Sequence, residues 1–293
     1  MDLDALVIGG GPAGMTAALY LARFRRRVAL ADGGAARAGS IPASHNIPFF
    51  AEGIGGAAIL ALQRAHLDRY AVPWLASRID HLERRDGGFV AERRGADPIH
   101  ARHVLLATGA EDIEPALPGL PDAVRGGLVR YCPICDGFES RDRRIAVIGA
   151  RGADEAIFIA RSYSADVTLL TLGEGGMMDP HTLERLGSHG VRIEEQPVAG
   201  LDIADGRIRA LRFGAQELRF DVLYSALGLN YRTELALALG AETDAKGALV
   251  VDDGMMTSVP GLYAAGDVVS GLDQIVVGMG HAAIAATRIH NAC

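Results

Sequence analysis

The feature that most constrains the fold of this chain is a glycine-rich turn at residues 9–14. The apolar run Ala5–Ile8 predicts a buried strand, and the segment GGGPAG follows it directly. This segment places three glycines at the spacing G-x-G-x-x-G, namely Gly9, Gly11 and Gly14. In a dinucleotide-binding turn the first glycine permits the tight bend, the second lets the backbone approach a pyrophosphate, and the third lets helix and strand pack closely. The segment therefore predicts a dinucleotide-binding domain.

Three later strand ends support this prediction. The predicted strand Val28–Ala31 ends at Asp32, roughly 20 residues past the turn, which is where an acid binds a ribose hydroxyl in such domains. Two further apolar strands end in small residues, in the segments 104–109 and 261–267. The second of them ends at Asp267, beside a glycine, where a carboxylate can accept hydrogen bonds from a polyol. We expect all of these strand ends to meet at one site.

The composition limits what class of protein this can be. The chain has 293 residues, enough for about two domains, and its 49% hydrophobic content is too high for a disordered protein. A formal net charge of −7 argues against a nucleic-acid partner, because such proteins hold phosphates with basic residues. The start of the chain has no basic region, and no long apolar stretch occurs, which predicts neither a signal peptide nor a membrane helix. We therefore expect a cytoplasmic protein with no membrane partner.

Two of the three cysteines form the pair Cys132-Pro133-Ile134-Cys135. In a reducing compartment such a pair indicates redox chemistry or metal binding. Tetrahedral zinc needs four ligands, and the remaining cysteine, Cys293, has no partner pair, so we predict redox chemistry and no metal site. Cys293 is the last residue, and we expect a free thiol there, with a role in electron relay as the alternative.

Four segments follow one another along the chain: GGGPAG, LLATGA, CPICDGF and TSVPGLYAAGD. In this order they resemble the thioredoxin-reductase-like flavoproteins, and the resemblance covers essentially the whole chain. It implies a homodimer and an α/β fold with two Rossmann-like, three-layer ββα dinucleotide-binding domains, the second inserted in the first. The expected ranges are 1–113 and 232–293 for the FAD-binding domain, 114–231 for the inserted NAD(P)H-type domain with the CxxC pair, and 111–118 and 227–233 for the hinges.

The resemblance also implies roles for residues of this chain. FAD would bind at the first glycine turn, with Cys135 facing the flavin, Cys132 exchanging with the substrate, and Asp136 as the acid/base for the thiol proton. For His281, near the expected start of the last helix, three roles stay open: a base, a group that stabilises the flavin, or a packed histidine. The residues expected to bind FAD are Gly9, Gly11, Pro12, Ala13, Gly14, Asp32, His45, Asn46, Thr108, Gly109, Gly266, Asp267, Gln274 and Ile275.

The inserted domain departs from the second nucleotide motif that the resemblance implies. Its turn reads GARGAD at residues 149–154, so Arg151 replaces the glycine for backbone approach and Asp154 replaces the small residue for helix packing. Gly152 restores backbone freedom, but out of register. After the next predicted strand the family's arginines for a 2′-phosphate are missing, and Glu174 could hold the 2′-hydroxyl of NADH instead. NADPH, NADH and no nicotinamide at all therefore remain open.

Together these features predict an FAD-dependent dithiol–disulfide oxidoreductase that passes two electrons between flavin and substrate through Cys132 and Cys135. The substrate would be a protein disulfide of the thioredoxin type or a small-molecule dithiol. Two alternative enzymes are an O₂-dependent oxidase of a small dithiol, as in the gliotoxin-oxidase-like relatives, and a disulfide reductase with ferredoxin as its electron donor. An alternative of a different class is a flavin-bound redox sensor without efficient turnover.

Overall fold

The structure, a computed structural model, describes residues 2–114, 123–124, 128–204 and 207–293. The strands are β1 (Asp2–Ile8), β2 (Val28–Ala31), β3 (Trp74–Leu75), β4 (His81–Arg85), β5 (Gly88–Arg93), β6 (Ala96–Leu106), β7 (Ala110–Asp112), β8 (Val129–Arg130), β9 (Ile145–Ile148), β10 (Val167–Leu170), β11 (Arg192–Glu194), β12 (Gly200–Ala204), β13 (Arg207–Phe213), β14 (Gln216–Leu218), β15 (Val222–Ser225), β16 (Leu229–Tyr231) and β17 (Leu262–Ala264). The α-helices are α1 (Pro12–Arg23), α2 (Gly56–Asp68), α3 (Pro133–Asp136), α4 (Ala153–Ser162), α5 (Pro180–Ser188), α6 (Glu234–Leu237) and α7 (Ile275–Ala292). Short 3₁₀ turns lie at Arg37–Ser40, Phe138–Ser140, Ala150–Gly152 and Gly175–Met177.

The first compact unit comprises the chain up to Ile41, then Ile47–Glu111 and Asn230–Cys293. In its sheet the strands β3, β2, β1, β6 and β17 run parallel, and β5 and β4 extend the sheet as antiparallel strands. The long strand β6 serves both parts, because its N-terminal half pairs with β5 and its C-terminal end pairs with β17. The carboxyl ends of the parallel strands share one edge, which is where ligands bind in sheets of this kind.

Both faces of the first unit's parallel strands are buried. Along β1, Leu6 and Ile8 belong to the apolar cluster on one face, and Ala5 and Val7 belong to the cluster on the other. The first cluster is shared with β4 and β5, and the second with helices α1 and α7. Because side chains alternate between faces along a strand, burial on both sides makes the strand apolar throughout.

The second unit comprises Pro42–Asn46 and Asp112–Leu229. Its parallel sheet has the order β11-β10-β9-β15-β8, and β12, β13 and β14 form a separate antiparallel sheet. The strand β9 alternates as β1 does, with Ile145 and Val147 packing with α4 and Ala146 and Ile148 packing with β13. The predicted α/β fold with Rossmann-like parallel sheets is confirmed.

The segments near the predicted hinges are only partly described. The strands β7 and β16 pair as a two-stranded sheet. Pro115 and Pro118, which fall within the predicted hinge 111–118, lie outside the described residues. Within the described ranges, none of the helices has both the length and the apolar character needed to cross a membrane.

Candidate functional site

The three glycines of the first turn meet three different environments. Gly9 has a φ of +116°, and a Cβ built on it would lie 2.1 Å from the carbonyl oxygen of Ala107. A Cβ on Gly14, in the first turn of α1, would lie 1.9 Å from the carbonyl oxygen of Gly9. A Cβ on Gly11 would meet no atom within 4 Å. Gly9 and Gly14 are therefore required by packing, whereas Gly11 keeps a space open over the backbone, as the approach of a pyrophosphate needs.

Asp32 closes one side of this turn. Its Oδ1 accepts hydrogen bonds from the N–H groups of Gly10 and Gly34, each at 3.1 Å. A Cβ on Gly10 would lie 2.5 Å from Asp32 Oδ2 and 2.8 Å from the indole ring of Trp74. The sequence pattern did not identify Gly10 or Trp74, although a glycine at position 10, between Gly9 and Gly11, was a signal for Gly10.

The other predicted strand ends lie at the same edge of the sheet. Thr108 Oγ1 donates to the carbonyl oxygen of Arg232 at 2.7 Å, in the turn after β6. Gly266, with a φ of +81°, follows β17, and a Cβ on it would lie 2.9 Å from Ala13 Cβ at the start of α1. This close packing places the carboxyl end of β17 directly beside the glycine turn.

Asp267 has a partner that the sequence did not reveal. Its Oδ2 lies 3.0 Å from Arg37 Nη1, and both side chains are three-quarters buried. The carboxylate that we expect to accept hydrogen bonds from a polyol is therefore paired with a cation. Arg37 is distant from Asp267 along the chain and carries no motif, so no local signal could have found it.

The last helix begins earlier than expected. α7 starts at Ile275, directly after the buried Gln274, so His281 lies in its second turn and not at its start. Burial lowers the pKa of His281, and the nearby Asp267 carboxylate opposes that shift. The Nδ1 atom of His281 is buried and has no hydrogen-bond partner among the described residues. This orphaned atom and the open space at Gly11 fit a bound dinucleotide with a polar group near α7.

The CxxC pair is a disulfide in the second unit. Cys132 and Cys135 have Cα atoms 5.3 Å apart, and Cys132 is the N-cap of the short helix α3. Cys132 Sγ accepts a hydrogen bond from the backbone N–H of Cys135 at 3.1 Å. A donor aimed at a sulfur stabilises its thiolate form, which is the form that exchanges with disulfides. Cys293 is a free cysteine, partly buried against the apolar cluster around α1 and α7.

Asp136, at the end of α3, lies in a hydrogen-bond network that no local sequence pattern indicates. Its Oδ1 accepts from the Tyr224 hydroxyl at 2.9 Å, and its Oδ2 lies 3.4 Å from Arg130 Nη1. Burial raises the pKa of Asp136, while Arg130 and Tyr224 oppose the shift. The carboxyl group therefore holds a proton to higher pH than an exposed aspartate does, as a residue that exchanges protons with a thiol requires.

The predicted FAD contacts His45 and Asn46 belong to the second unit and lie beside the disulfide segment. Asn46 Nδ2 donates to the carbonyl oxygen of Ile134 at 3.3 Å, and Asn46 Oδ1 accepts from Ser44 Oγ at 2.9 Å. His45 Nδ1 lies 3.8 Å from Glu139 Oε1. The segment 44–46 therefore supports the residues around the CxxC pair.

The turn of the inserted unit has its own geometry. Gly149 repeats the φ of +116° seen at Gly9, but a 3₁₀ turn follows, and α4 begins with Gly152 as its N-cap. A Cβ on Gly152 would lie 2.5 Å from Ala226 Cβ, so Gly152 takes the helix-packing position that Asp154 vacates. Asp154 is exposed and pairs with Arg185 at 2.7 Å, and Arg151 is exposed as well. Arg151 occupies the motif position that Gly11 occupies in the first turn, so the open space found at Gly11 has no counterpart there.

Comparisons with known proteins give a consistent result. A sequence profile of the family described as pyridine nucleotide-disulphide oxidoreductase matches residues 3–286. A thioredoxin reductase from Streptomyces coelicolor is 29% identical over 284 residues, which cover 91% of this chain and 86% of the relative. Among solved structures, HlmI has a TM-score of 0.91 at 29% identity, covering 99% of this chain and 92% of its own. A thioredoxin reductase from Streptococcus pyogenes has a TM-score of 0.91 at 27% identity, covering 99% and 97%.

Proposed function

Because the chain belongs to the pyridine nucleotide-disulphide oxidoreductase family, whose thioredoxin-reductase-like members are FAD-dependent disulfide oxidoreductases, we propose that it exchanges two electrons with a dithiol or disulfide substrate through Cys132 and Cys135. One observation carries this proposal: the two cysteines form a disulfide at the start of α3, with the carboxyl group of Asp136 directly after them. A proton-exchanging group thus stands next to a reducible bond.

The exchange with substrate needs only groups that this unit contains. In the oxidising direction, a substrate thiolate attacks Cys132 Sγ, and the bond to Cys135 breaks, leaving a Cys135 thiolate and a mixed disulfide. The second substrate thiolate then attacks the mixed disulfide and releases Cys132, so the substrate is oxidised by two electrons and the protein holds a dithiol. Asp136 takes up or supplies the thiol proton. Oxidised substrates are reduced by the same steps in reverse.

When bound, FAD would supply the two-electron redox chemistry that this dithiol needs. We propose that the open space at Gly11 receives its pyrophosphate and that Asp32 binds its adenosine ribose. Asp267, Gln274 and the amides at the start of α7 would lie toward the ribityl chain and flavin. His281 would offer its buried Nδ1, which has no hydrogen-bond partner in the described part of the chain, to a polar atom of the cofactor.

We propose further that the inserted unit no longer binds NADPH. Arg151 stands where a glycine lets the backbone approach a pyrophosphate, and the acid Glu174 follows β10, where a 2′-phosphate would need basic residues. Glu194 and Glu195, at the end of the neighbouring β11, add negative charge to the same region. NADH, which lacks the 2′-phosphate, remains the alternative coenzyme.

This altered turn also supports a second candidate function. An enzyme without a nicotinamide donor would take electrons from a substrate dithiol and pass them to O₂, as an oxidase of a small dithiol does. The thioredoxin-reductase-like reaction runs the other way and would need a donor other than NADPH, such as ferredoxin or NADH. A protein disulfide of the thioredoxin type is the substrate expected for that reaction.

The proposal is tested by following the flavin absorbance of the purified protein without oxygen. Dithiothreitol is expected to bleach the flavin of the wild-type protein, and Cys135→Ser is expected to abolish bleaching, whereas the matched control Cys293→Ser keeps it. A Cys135→Ser protein that still bleaches would overturn the assignment of the cysteines, and failure of the wild-type protein to bleach would favour a sensor without turnover.

The same assay separates the electron partners. Rapid bleaching by NADPH would contradict the proposed loss of its site, and bleaching by NADH alone would support a role for Glu174. Reoxidation of the dithiol-reduced protein by air, with stoichiometric peroxide, supports the oxidase. Size-exclusion chromatography with light scattering tests the homodimer that the family resemblance implies.

A further inference from the structure

The Tyr224 side chain reaches Asp136 from an inner strand of the second unit's sheet. Tyr224 lies on β15, between β9 and β8, and only 1% of its surface is exposed. Its hydroxyl donates to Asp136 Oδ1 at 2.9 Å and lies 3.2 Å from Ser140 Oγ. A buried hydroxyl is costly unless it is hydrogen-bonded, so these two partners explain how a tyrosine is tolerated at this position of the sheet.

Arg130 approaches the same carboxyl group from β8. Its Nη1 lies 3.0 Å from the backbone carbonyl of Asp136 and 3.0 Å from Ser140 Oγ, as well as 3.4 Å from Asp136 Oδ2. The fully buried Ser140 thus joins the cation to the tyrosine. Each carboxyl oxygen of Asp136 has its own partner, one charged and one neutral.

Two further titratable groups, Glu139 and His45, lie near the Asp136 carboxyl group. Glu139, in the 3₁₀ turn after α3, is the other acid that acts on Asp136, and His45 lies 3.8 Å from Glu139. Burial and the neighbouring Asp136 carboxylate raise the pKa of Tyr224, so its hydroxyl keeps its proton at every pH where the enzyme works. Tyr224 is therefore a permanent donor to Asp136.

We propose that Tyr224 is a positioning residue that fixes the orientation of the Asp136 carboxyl group and sets the pH at which it exchanges a proton with the Cys132–Cys135 dithiol. This role rests on the proposed function, because it concerns the acid/base of that reaction. A donor to the charged form of a carboxyl group favours that form. Tyr224 therefore keeps the carboxyl able to accept a proton in an environment that would otherwise hold it protonated.

The variant Tyr224→Phe isolates this donor with little disturbance of the fold. The ring stays in place, and Ser140 Oγ keeps Arg130 as a partner, so the only broken contact at the carboxyl is the one from the hydroxyl. We expect the pKa of Asp136 in the dithiol-reduced holoenzyme to rise by about one unit. Difference infrared spectroscopy of the protonated-carboxyl band measures this pKa directly, with Asp136→Asn identifying the band.

The second readout is the pH dependence of cysteine alkylation by iodoacetamide in the reduced protein. Its Asp136-dependent inflection is expected to move upward by the same amount in Tyr224→Phe and to stay in place in Tyr263→Phe, which removes another buried tyrosine hydroxyl on a strand. An unchanged carboxyl pKa, or rates that fall equally at every pH, would overturn the proposal and leave Tyr224 a packing residue. The infrared measurement does not depend on turnover, so it tests the role of Tyr224 even in a protein that fails the dithiol assay.

Discussion

Gly9 and Gly149 adopt the same backbone conformation, each with a φ of +116°, at equivalent points of the two units. Gly9 donates its N–H to the carbonyl oxygen of Ala31 at 2.8 Å, and Gly149 donates to that of Leu170 at 2.8 Å. Each glycine thus directly follows a parallel strand, β1 or β9, and bonds to the end of the adjacent parallel strand, β2 or β10. After this common start the two turns differ. The first has open space at Gly11, which fits a dinucleotide, whereas the second continues as a 3₁₀ turn that contains Arg151.

In the first turn, variants of two glycines can distinguish a packing role from a ligand-binding role. Gly11→Ala is expected to fold normally, because its added Cβ meets no atom within 4 Å and its φ of −76° suits alanine. The same Cβ stands in the space proposed for the pyrophosphate, so we expect FAD binding to weaken roughly 10- to 100-fold, about 1–3 kcal/mol. Flavin fluorescence titration of the apoprotein measures this, and thermal unfolding of the apoprotein checks the fold.

Gly9→Ala serves as the contrasting variant. Its Cβ would lie 2.1 Å from a backbone oxygen, and alanine disfavours a φ of +116°. We therefore expect it to lose stability with or without FAD. Equal FAD affinity in Gly11→Ala and the wild-type protein would show that the pyrophosphate does not bind at this turn.

In the second turn, Gly152→Ala tests whether the helix-packing position has moved. The added Cβ would lie 2.5 Å from Ala226 Cβ and 3.0 Å from a methyl group of Val147, and close packing leaves both neighbours little room to move. Overpacking of this kind costs about 1–3 kcal/mol, which chemical denaturation would detect. Gly187→Ala, in α5 with open space around it, is the control and is expected to leave stability unchanged or slightly raised.

The pH dependence of stability reports on Asp136. Its folded pKa is raised above the ordinary value of 3.8, so the protonated carboxyl favours the folded state, and that contribution is lost as the pH rises through the folded pKa. Asn does not titrate, so the melting temperature of Asp136→Asn relative to the wild-type protein is expected to increase from about pH 4 upward across that window. Melting curves of both proteins at matched ionic strength provide the test, and parallel curves would contradict a raised pKa.

The pH dependence of stability that we expect from His281 is opposite to that from Asp136. Its folded pKa is lowered from 6.5, so the neutral ring favours the folded state above that value, and the contribution is lost as the pH falls through the folded pKa. Relative to the wild-type apoprotein, the His281→Gln apoprotein is expected to become more stable as the pH falls from about 7 to about 5. The other histidines are common to both proteins and cancel in the comparison. A stability difference that stays constant across this pH range would mean that burial does not lower the pKa of His281.

The His281 position also shows where local pattern fails. The expected helix start near His281 was wrong, and the run from Ile275 contains Gly278 and Gly280, which are poor helix formers. In the structure a Cβ on Gly278 would lie 3.1 Å from Gly266 Cα, so this glycine lets α7 pack closely against the turn after β17. A tertiary contact, not local propensity, explains why a glycine stands in that helix.

By itself the sequence determined the features that depend on neighbouring residues. The glycine turn at residues 9–14 and the Cys132–Cys135 pair were predicted because a tight turn and a two-residue spacing are properties of a short segment. The ion pair of Arg37 with Asp267 and the hydrogen bond of Tyr224 to Asp136 join residues 230 and 88 positions apart. Only the tertiary structure decided these partners, because parallel strands bring distant chain segments to one edge of a sheet, and burial there gives each polar group a required partner.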